Sequence, residues 1–276
     1  MIVSNMKEHP NKPVPNLDFS QQRREKICEL LRQKGRVAVA ELAKDQQVQP
    51  ITIRRDLDEL AAKGLLIRVR GGAVANLAVR LEFTYAQREK QCVHEKRAIA
   101  KRASEMIQPG QTLILDTGTT TQLLARALIG RTDLQVVTNS MIVAYELRGA
   151  MGIEVVLLGG QARRGGFELV GPIPQRLLGD LHADLAFLGA DAIDPKSGFY
   201  TTDLGVSQLE ELMILSAGRA VVLADASKIG RRGFARYATF EQIDTWITCG
   251  TVPAEARRPL RRQSTQIIQV PRDKER

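Results

Sequence analysis

The sequence predicts a two-domain α/β protein, in which a small, mainly helical N-terminal domain precedes a larger domain built on a mainly parallel sheet. The chain has 276 residues, and domains of roughly 100–200 residues make two the natural expectation. Beyond Gly110, short apolar segments alternate with helical ones, as in a parallel sheet covered by helices on both faces. We therefore expect a disordered tail at residues 1–19, an N-terminal domain at 20–75, a linker at 76–96 and an α/β domain at 97–276.

Three helices and a β-hairpin are predicted for the N-terminal domain. Ser20 has the side chain of a helix N-cap, Pro50 suits a first helical position, and Gly64 suits a helix end. The segment LIRVRGGAV alternates apolar and basic residues before a Gly-Gly turn, which predicts a hairpin, or wing. The predicted helices run from Ser20 to Gly35, from Val39 to Lys44 and from Pro50 to Lys63.

The third helix has two different faces. Ile53, Leu57 and Leu60 fall on one side at helical spacing and should pack on the other helices. Thr52 and Arg55 point the other way, near the helix N-terminus, where such side chains can reach base edges in a DNA major groove. Any amphipathic surface helix shares this pattern, so the helix alone leaves both interpretations open.

Positive charge is concentrated at the two ends of the chain. The net charge is +9. Residues 20–75 hold 12 basic and 7 acidic residues, residues 255–276 hold 7 and 3, and residues 76–254 hold 19 of each. A basic N-terminal domain is the electrostatic footprint of a polyanion binder, although a solvated surface would have the same composition.

The N-terminal domain resembles the winged helix-turn-helix of the DeoR-type repressor family. The run TIRRDLDEL at residues 52–60, then Gly64, then Gly71-Gly72-Ala73 carries the resemblance. Gln49 departs from the family, which usually has Ser before the third helix. The resemblance implies double-stranded operator DNA as partner, and because one such domain reads few base pairs, a homo-oligomer is expected. The DNA-contact residues we predict are Gln49, Thr52, Arg54 and Arg55 on the third helix, with Arg68 and Arg70 on the wing; Asp56 and Asp58 should position neighbouring arginines.

Seven apolar segments are candidate strands of the second domain, and the first of them leads into a possible phosphate site. Thr112–Asp116 reads as a strand, the turn at 117–121 is rich in glycine and hydroxyl groups, and Gln122–Leu128 reads as a helix. Such a turn points N–H and hydroxyl groups at one spot, with a helix dipole behind it. A generic strand-to-helix turn looks similar, and neither a Walker A loop nor a GxGxxG fingerprint is present. The candidate strands are TLILD, QVVTN, IEVVLLGG, LAFLGAD, AVVLAD, TWIT and QIIQV.

The second domain resembles the DeoR-type sensor domain, which is similar in fold to ribose-5-phosphate isomerase and amino-sugar phosphate deaminases. The motifs DTGTTT, VTNS, LLGG, LVGP, GADAID and ADASK carry the resemblance. It implies a phosphorylated sugar or related metabolite as effector. Asp191 and Lys228 could instead form a structural ion pair or cap the end of a strand. The resemblance places the phosphate on Gly118, Thr119, Thr120 and Thr121 and the sugar beside Asp116, Asp191 and Lys228, with Asn139 and Gly160 as weaker members of the site.

Catalysis is not expected, and neither is a cofactor. Isomerases of this kind need a carboxylate that takes a proton beside the carbonyl, and the position where the family commonly has Glu is Val206 here. We interpret Glu210 and Glu211, one turn on, as helix surface. The three cysteines form no CxxC pair, which argues against a metal site and fits a cytoplasmic protein, and no apolar run could span a membrane. A sugar-phosphate isomerase with an appended DNA-binding module, and an RNA-binding or structural protein, are the alternatives.

Overall fold

The computed structural model describes residues 19–62, 65–75, 85–163 and 166–272. Several expectations concern residues outside these ranges: the disordered tail at residues 1–18, the helix end at Gly64 and residues 76–84 of the linker. Within the expected linker, residues 85–90 are helical. The chain forms two compact units, residues 1–83 and 84–276. No helix among the described residues is long and apolar enough to cross a membrane.

The first unit is a three-helix domain with a small sheet. Helix α1 already includes Ser20, so the expected N-cap lies inside the helix, where its hydroxyl oxygen accepts from Arg24 Nη2 at 3.2 Å. The predicted wing is confirmed as β2 and β3, and a third strand, β1, pairs with β3. A three-residue strand has too little periodicity to be predicted. The elements are α1 Phe19–Lys34, β1 Arg36–Ala38, α2 Val39–Asp45, α3 Pro50–Ala62, β2 Leu66–Val69 and β3 Gly72–Ala75.

A continuous apolar core holds this unit together. The predicted inner face of α3 is confirmed, because Ile53 and Leu57 are fully buried and Leu60 is nearly so. They pack against Ile27 of α1 and Leu42 of α2. The core therefore fixes α3 with its opposite face free to meet a partner.

The second unit is an α/β domain with a seven-stranded sheet in the order β15-β14-β12-β9-β4-β5-β6. All of its strand pairs are parallel, and all seven candidate strands are present. The predicted fold class is confirmed: a helix-turn-helix domain is followed by a parallel α/β domain. The sheet strands are β4 Thr112–Leu115, β5 Leu134–Thr138, β6 Ile153–Leu157, β9 Ala183–Leu188, β12 Ala217–Leu223, β14 Thr245–Cys249 and β15 Gln266–Val270.

Five short strands of the second unit were not predicted. Three form an antiparallel sheet in the order β10-β11-β13, and two form a small hairpin. Gly198 begins β11 with φ +119°, and a Cβ there would lie 2.1 Å from the Ala238 carbonyl oxygen, so close strand contact requires glycine. These strands are β7 Gln161–Ala162, β8 Leu169–Val170, β10 Ala192–Asp194, β11 Gly198–Thr201 and β13 Ala235–Ala238; the helices are α4 Val93–Ser104, α5 Thr119–Leu128, α6 Met141–Leu147, α7 Pro172–Gly179, α8 Leu204–Leu215 and α9 Ala254–Leu260, with 3₁₀ turns at Ala226–Lys228 and Phe240–Gln242.

Candidate DNA-binding surface and ligand pocket

The outer face of α3 presents two unpaired arginines. Arg54 and Arg55 are exposed, and neither has an ion-pair partner within the described part of the chain. Gln49 is exposed just before the helix, and Thr52 is half-buried, with its N–H donating to the Gln49 carbonyl at 2.9 Å. Ile51 is 55% exposed beside them; an apolar side chain here suits a thymine methyl group, a role that sequence reasoning did not assign.

The acidic residues of α3 hold the domain together. The Asp56 carboxylate is buried and accepts from Arg23 Nε at 2.5 Å, so it ties α3 to α1 rather than to the arginines beside it on α3. Asp58 accepts from Arg68 Nε at 2.8 Å, and Arg68 Nη1 also donates to the Gly72 carbonyl. Arg68 is therefore oriented by two internal contacts.

Arg70 lies at the wing turn beside two basic residues that sequence reasoning missed. Lys34 and Arg36, from the end of α1 and the start of β1, line the same groove as Arg70. All three side chains are exposed. Arg70 lies far from Lys34 and Arg36 in sequence, and the three come together because β1 pairs with β3.

A polar pocket lies at the carboxyl ends of three neighbouring strands of the large sheet. Asp116 follows β4, the segment 189–191 follows β9, and the segment 224–228 follows β12. Ligands of open α/β sheets bind at this edge. The pocket is lined by Arg88, Lys96, Asp116, Thr117, Gly118, Thr119, Thr120, Thr121, Arg163, Glu168, Gly189, Ala190, Asp191, Thr201, Thr202, Asp203, Val206, Glu210, Leu223, Ala224, Asp225 and Lys228.

The turn after β4 forms one wall of this pocket. Gly118 has φ +157° and precedes Thr119, the first residue of α5. Thr121 Oγ1 donates to the Gly118 carbonyl at 3.0 Å, which holds the turn in shape. The first N–H groups of a helix lack partners within it, so the start of α5 suits an anion.

Four cations line the pocket, and three of them were not predicted. Lys228 was predicted; Arg88, Lys96 and Arg163 come from separate chain segments that carry no recognisable motif. Lys96 is almost fully buried and donates to the Arg88 carbonyl. Burial lowers the pKa of Lys96 to about 8, and the neighbouring Lys228 acts in the same direction while Asp225 opposes it.

Asp191 pairs with Arg88 and not with Lys228. Its carboxylate accepts from Arg88 Nη1 at 2.8 Å and from Thr202 Oγ1 at 3.0 Å. Lys228 has no ion-pair partner among the residues described. A structural Asp191–Lys228 pair is therefore absent from this structure.

Two buried carboxyl groups in the pocket have oxygens that accept no hydrogen bond from the described residues. Asp116 is 1% exposed and Glu210 4% exposed, and the oxygens concerned are Asp116 Oδ1 and Glu210 Oε2. The two carboxyl groups lie close enough to hydrogen-bond each other when one of them is protonated. The interpretation of Glu210 as helix surface was wrong, because Val206, Glu210 and Met213 share the buried face of α8; Glu211 is exposed. Burial raises the pKa of Asp116 to about 7, and burial together with Asp116 and Asp191 raises that of Glu210 well above its usual value.

Asn139 and Gly160 do not line the pocket. The Asn139 side chain is fully buried, and its backbone carbonyl accepts from Leu169 N at 2.8 Å. Gly160 has φ +137°, and a Cβ there would lie 2.8 Å from Pro174 Cδ and from the Val170 carbonyl oxygen. In this structure both support the segment that leads to α7.

The raised pKa of Asp116 predicts a pH-dependent stability. Between about pH 4 and pH 7 the folded chain keeps a proton that the unfolded chain has lost, so the free energy of unfolding should fall as pH rises. One such group contributes a slope of up to about 1.4 kcal/mol per pH unit. Asp116→Asn should flatten this slope in denaturant titrations between pH 5 and pH 7, whereas the exposed control Asp180→Asn should keep it. An unchanged slope in Asp116→Asn would show that the carboxyl is ionised throughout.

Comparison with known proteins identifies the family. A family model described as a DeoR-like helix-turn-helix domain matches residues 23–78, and a model of the DeoR C-terminal sensor domain matches residues 91–249. The chain is 39% identical over 247 residues to the HTH-type transcriptional regulator GlpR of Haloferax volcanii, covering 90% of this chain and 96% of that protein. The chain belongs to the DeoR family of transcriptional regulators.

Other relatives of this DeoR-family protein are also named as regulators. It is 36% identical over 251 residues to a putative aga operon transcriptional repressor of Escherichia coli, covering 90% of this chain and 93% of that one. It is 30% identical over 246 residues to the glycerol-3-phosphate regulon repressor of Escherichia coli, covering 89% of this chain and 97% of that one.

Among solved structures, ribose 5-phosphate isomerase A of Methanocaldococcus jannaschii matches 49% of this chain and 53% of that one, at 23% identity and a TM-score of 0.37.

Proposed function

We propose that this DeoR-family protein is a repressor of carbohydrate-metabolism genes whose DNA binding is controlled by a phosphorylated sugar or related metabolite bound in the pocket. The observation that supports this most is the pocket itself. It combines a glycine- and threonine-rich turn at a helix start with four cations at the carboxyl edge of the sheet. Amides, hydroxyls and cations together are what a phosphate group requires.

The phosphate binds to the turn at Gly118–Thr121. The hydroxyl groups of Thr119 and Thr120 and the free N–H groups of α5 donate to its oxygens. Lys228 supplies the fixed charge that the turn itself lacks, and the buried Lys96 lies close enough to it for the two charges to interact. Each charge-assisted hydrogen bond of this kind contributes about 1.5–3 kcal/mol.

The carbon chain of the effector binds beside Asp116, Glu210 and Asp191. Because Asp116 Oδ1 and Glu210 Oε2 accept no hydrogen bond from the described residues, they are available to the ligand's hydroxyl groups. Neutral Glu210 donates a hydrogen bond, and an ionised carboxylate accepts one. These groups distinguish one sugar phosphate from another, while the turn at 118–121 binds the phosphate they share.

Arg88 and Tyr85 connect the pocket to the end of the linker. Tyr85 donates to Gln122 Oε1 at 3.1 Å, and Arg88 pairs with Asp191 in the pocket. An effector that takes Asp191 or Arg88 as a partner changes these contacts, and with them the end of the linker. A ligand shifts an equilibrium only by binding one state better than the other, and these contacts supply that difference.

On the DNA side, Arg54, Arg55, Thr52 and Gln49 read bases and nearby phosphates, while Arg68 and Arg70 bind the backbone. Most protein–DNA hydrogen bonds go to phosphate and sugar, so the wing residues govern affinity more than sequence choice. A homo-oligomer assembled through the sensor domain would read two half-sites, which together make up the operator.

Calorimetric titration of the full chain with sugar phosphates and their unphosphorylated parents tests the effector site. We expect binding only by phosphorylated compounds, with release of DNA by those that bind. Equal affinity for a sugar and its phosphate would exclude the phosphate site proposed here.

A second candidate function, sugar-phosphate isomerisation, is favoured by one observation. Asp116 lines the pocket, and burial raises the pKa of its carboxyl to about 7, near the value that a general base needs at neutral pH. Incubation of purified protein with ribose 5-phosphate or glucosamine 6-phosphate distinguishes the two functions. We expect no product above background; turnover that is lost in both Asp116→Asn and Glu210→Gln would establish catalysis instead.

A further inference from the structure

A second concentration of positive charge lies on the α/β domain, far along the chain from the helix-turn-helix. Helix α9 and the turn after it expose four arginines within six residues, at positions 257, 258, 261 and 262. Four more exposed basic residues lie on two neighbouring segments. The eight residues are Lys196, Arg231, Arg232, Arg236, Arg257, Arg258, Arg261 and Arg262, here called the α9 basic patch.

Hydrogen bonds join these segments into one surface. Gln263 Nε2, next to Arg262, donates to the Pro195 carbonyl at 2.9 Å, which places the end of α9 beside Lys196. Arg236 Nη1 donates to the Ser197 carbonyl at 3.4 Å on the other side of the same loop. The basic residues of α9, β13 and the β10–β11 turn are therefore neighbours in space.

The charge of the α9 basic patch is not neutralised within the described residues. Only Arg232 forms an ion pair with a carboxylate, that of Asp194. Two further acids lie near the patch: Glu255 on α9, and Glu241, whose charge interacts with that of Arg236.

Five other arginines of the same unit form ion pairs with carboxylates. Those pairs are Arg88–Asp191, Arg102–Glu105, Arg126–Glu146, Arg163–Glu168 and Arg272–Glu95. Exposed arginines without such a pair among the described residues, such as Arg148, Arg176 and Arg219, are scattered over the unit rather than clustered.

The spacing of the arginines at the end of α9 adds repulsion. Arg257 and Arg258 lie in the last turn of α9, and Arg261 and Arg262 lie in the turn that follows it. Arg261 N–H donates to the Arg257 carbonyl at 3.1 Å, so the helical i,i+4 spacing at which like charges repel continues past the helix end. Basic residues near a helix C-terminus complement its dipole, which accounts for the two arginines on α9 but not for the two beyond it. A bound polyanion removes this repulsion.

A groove borders the α9 basic patch and includes two of its eight residues. Arg257 and Arg261 lie on its wall with the polar residues Thr251, Gln263, Thr265 and Gln269 and the apolar residues Val252, Leu260 and Ile267. Arginine, hydroxyl and amide groups are the groups with which proteins contact phosphate and sugar oxygens. Aromatic side chains for stacking on single-stranded bases are absent from the described residues that line this groove, which favours duplex backbone.

We propose that the α9 basic patch is a second DNA-contact surface, which binds the sugar-phosphate backbone of duplex DNA without reading its sequence. A DNA contact at the patch accounts for the four clustered arginines in residues 255–276. This contact is independent of the effector pocket, so the proposal holds whether or not that pocket binds a phosphate.

The test compares two variants of the full chain with the same loss of charge. The patch variant is Arg257→Gln, Arg258→Gln, Arg261→Gln and Arg262→Gln. The control is Lys101→Gln, Arg148→Gln, Arg176→Gln and Arg219→Gln, four exposed and scattered residues of the same unit. Affinity for a 40-base-pair duplex of arbitrary sequence is measured by fluorescence anisotropy at several salt concentrations, after circular dichroism has shown that both variants are folded.

Each phosphate contact adds roughly 0.9 to the slope of log affinity against log salt. The patch variant should therefore have a slope shallower by about 2 to 4 and bind at least roughly tenfold more weakly at 0.1 M salt, while the control stays near the native protein. Equal slopes for the two variants would overturn the proposal, because the patch would then contribute only general charge or bind an acidic protein instead.

Discussion

Lys228→Ala is expected to give a protein that holds DNA but no longer responds to effector. The lysine lies at the carboxyl edge of β12, lines the pocket and has no carboxylate partner among the described residues. If it binds the effector phosphate, its loss removes a charge-assisted hydrogen bond and should weaken effector binding roughly tenfold to a hundredfold, since about 1.4 kcal/mol corresponds to one decade. DNA affinity without effector should be almost unchanged.

A matched pair of variants makes this result specific. Lys101→Ala removes one exposed lysine of the same unit outside the pocket and should respond normally. Thr119→Val removes a hydroxyl of the proposed phosphate turn and should share the defect of Lys228→Ala. Calorimetry gives the affinities and gel shifts give the response; a normal response from Lys228→Ala would show that the phosphate lies elsewhere.

Arg55→Ala is expected to lower sharply the preference for operator over random DNA. Arg55 is exposed on the outer face of α3 without an ion-pair partner in the described residues, and arginine forms bidentate contacts with guanine in the major groove. Losing such a contact costs about 1–3 kcal/mol at the specific site, which is roughly a 5- to 150-fold loss of operator affinity. Affinity for random DNA should fall far less.

Arg70→Ala is the control for base reading. At the wing turn, Arg70 should bind backbone, so its loss should weaken all duplexes alike and flatten the salt slope by about one contact. Gel-shift titrations at two salt concentrations separate the two behaviours. If Arg55→Ala lowers operator and random-DNA affinity equally, Arg55 contacts phosphate and another residue reads the bases.

The elements that could be predicted are those with a strong local pattern. The apolar face of α3 and the seven sheet strands follow from spacing and length, because burial of a long regular segment leaves its period in the sequence. Strands β7, β8, β10, β11 and β13 have two to four residues, too few to show a period. Their pairing depends on segments that meet only in the folded chain.

Only the part of the pocket that lies in one continuous segment could be predicted from the sequence. The turn at 117–121 is a contiguous motif, whereas Arg88, Lys96 and Arg163 reach the pocket from three separate segments. Glu210 was misplaced because α8 has apolar residues on more than one side, so spacing could not tell its inner face from its outer one. A carboxyl group that burial keeps protonated can be recognised only when the packing around it is known.

One titration tests whether occupancy of the pocket controls DNA binding. The full chain would be bound to a fluorescent operator duplex that it has itself selected from a randomised pool, and phosphorylated sugars and their unphosphorylated parents would be added while anisotropy is recorded. We predict that at least one phosphorylated sugar changes operator affinity at least fivefold in the native chain, that its parent sugar does not, and that Lys228→Ala abolishes the change. If the unphosphorylated sugar produced an equal change, or if Lys228→Ala retained the change in full, a phosphate bound in this pocket would not be what controls DNA binding.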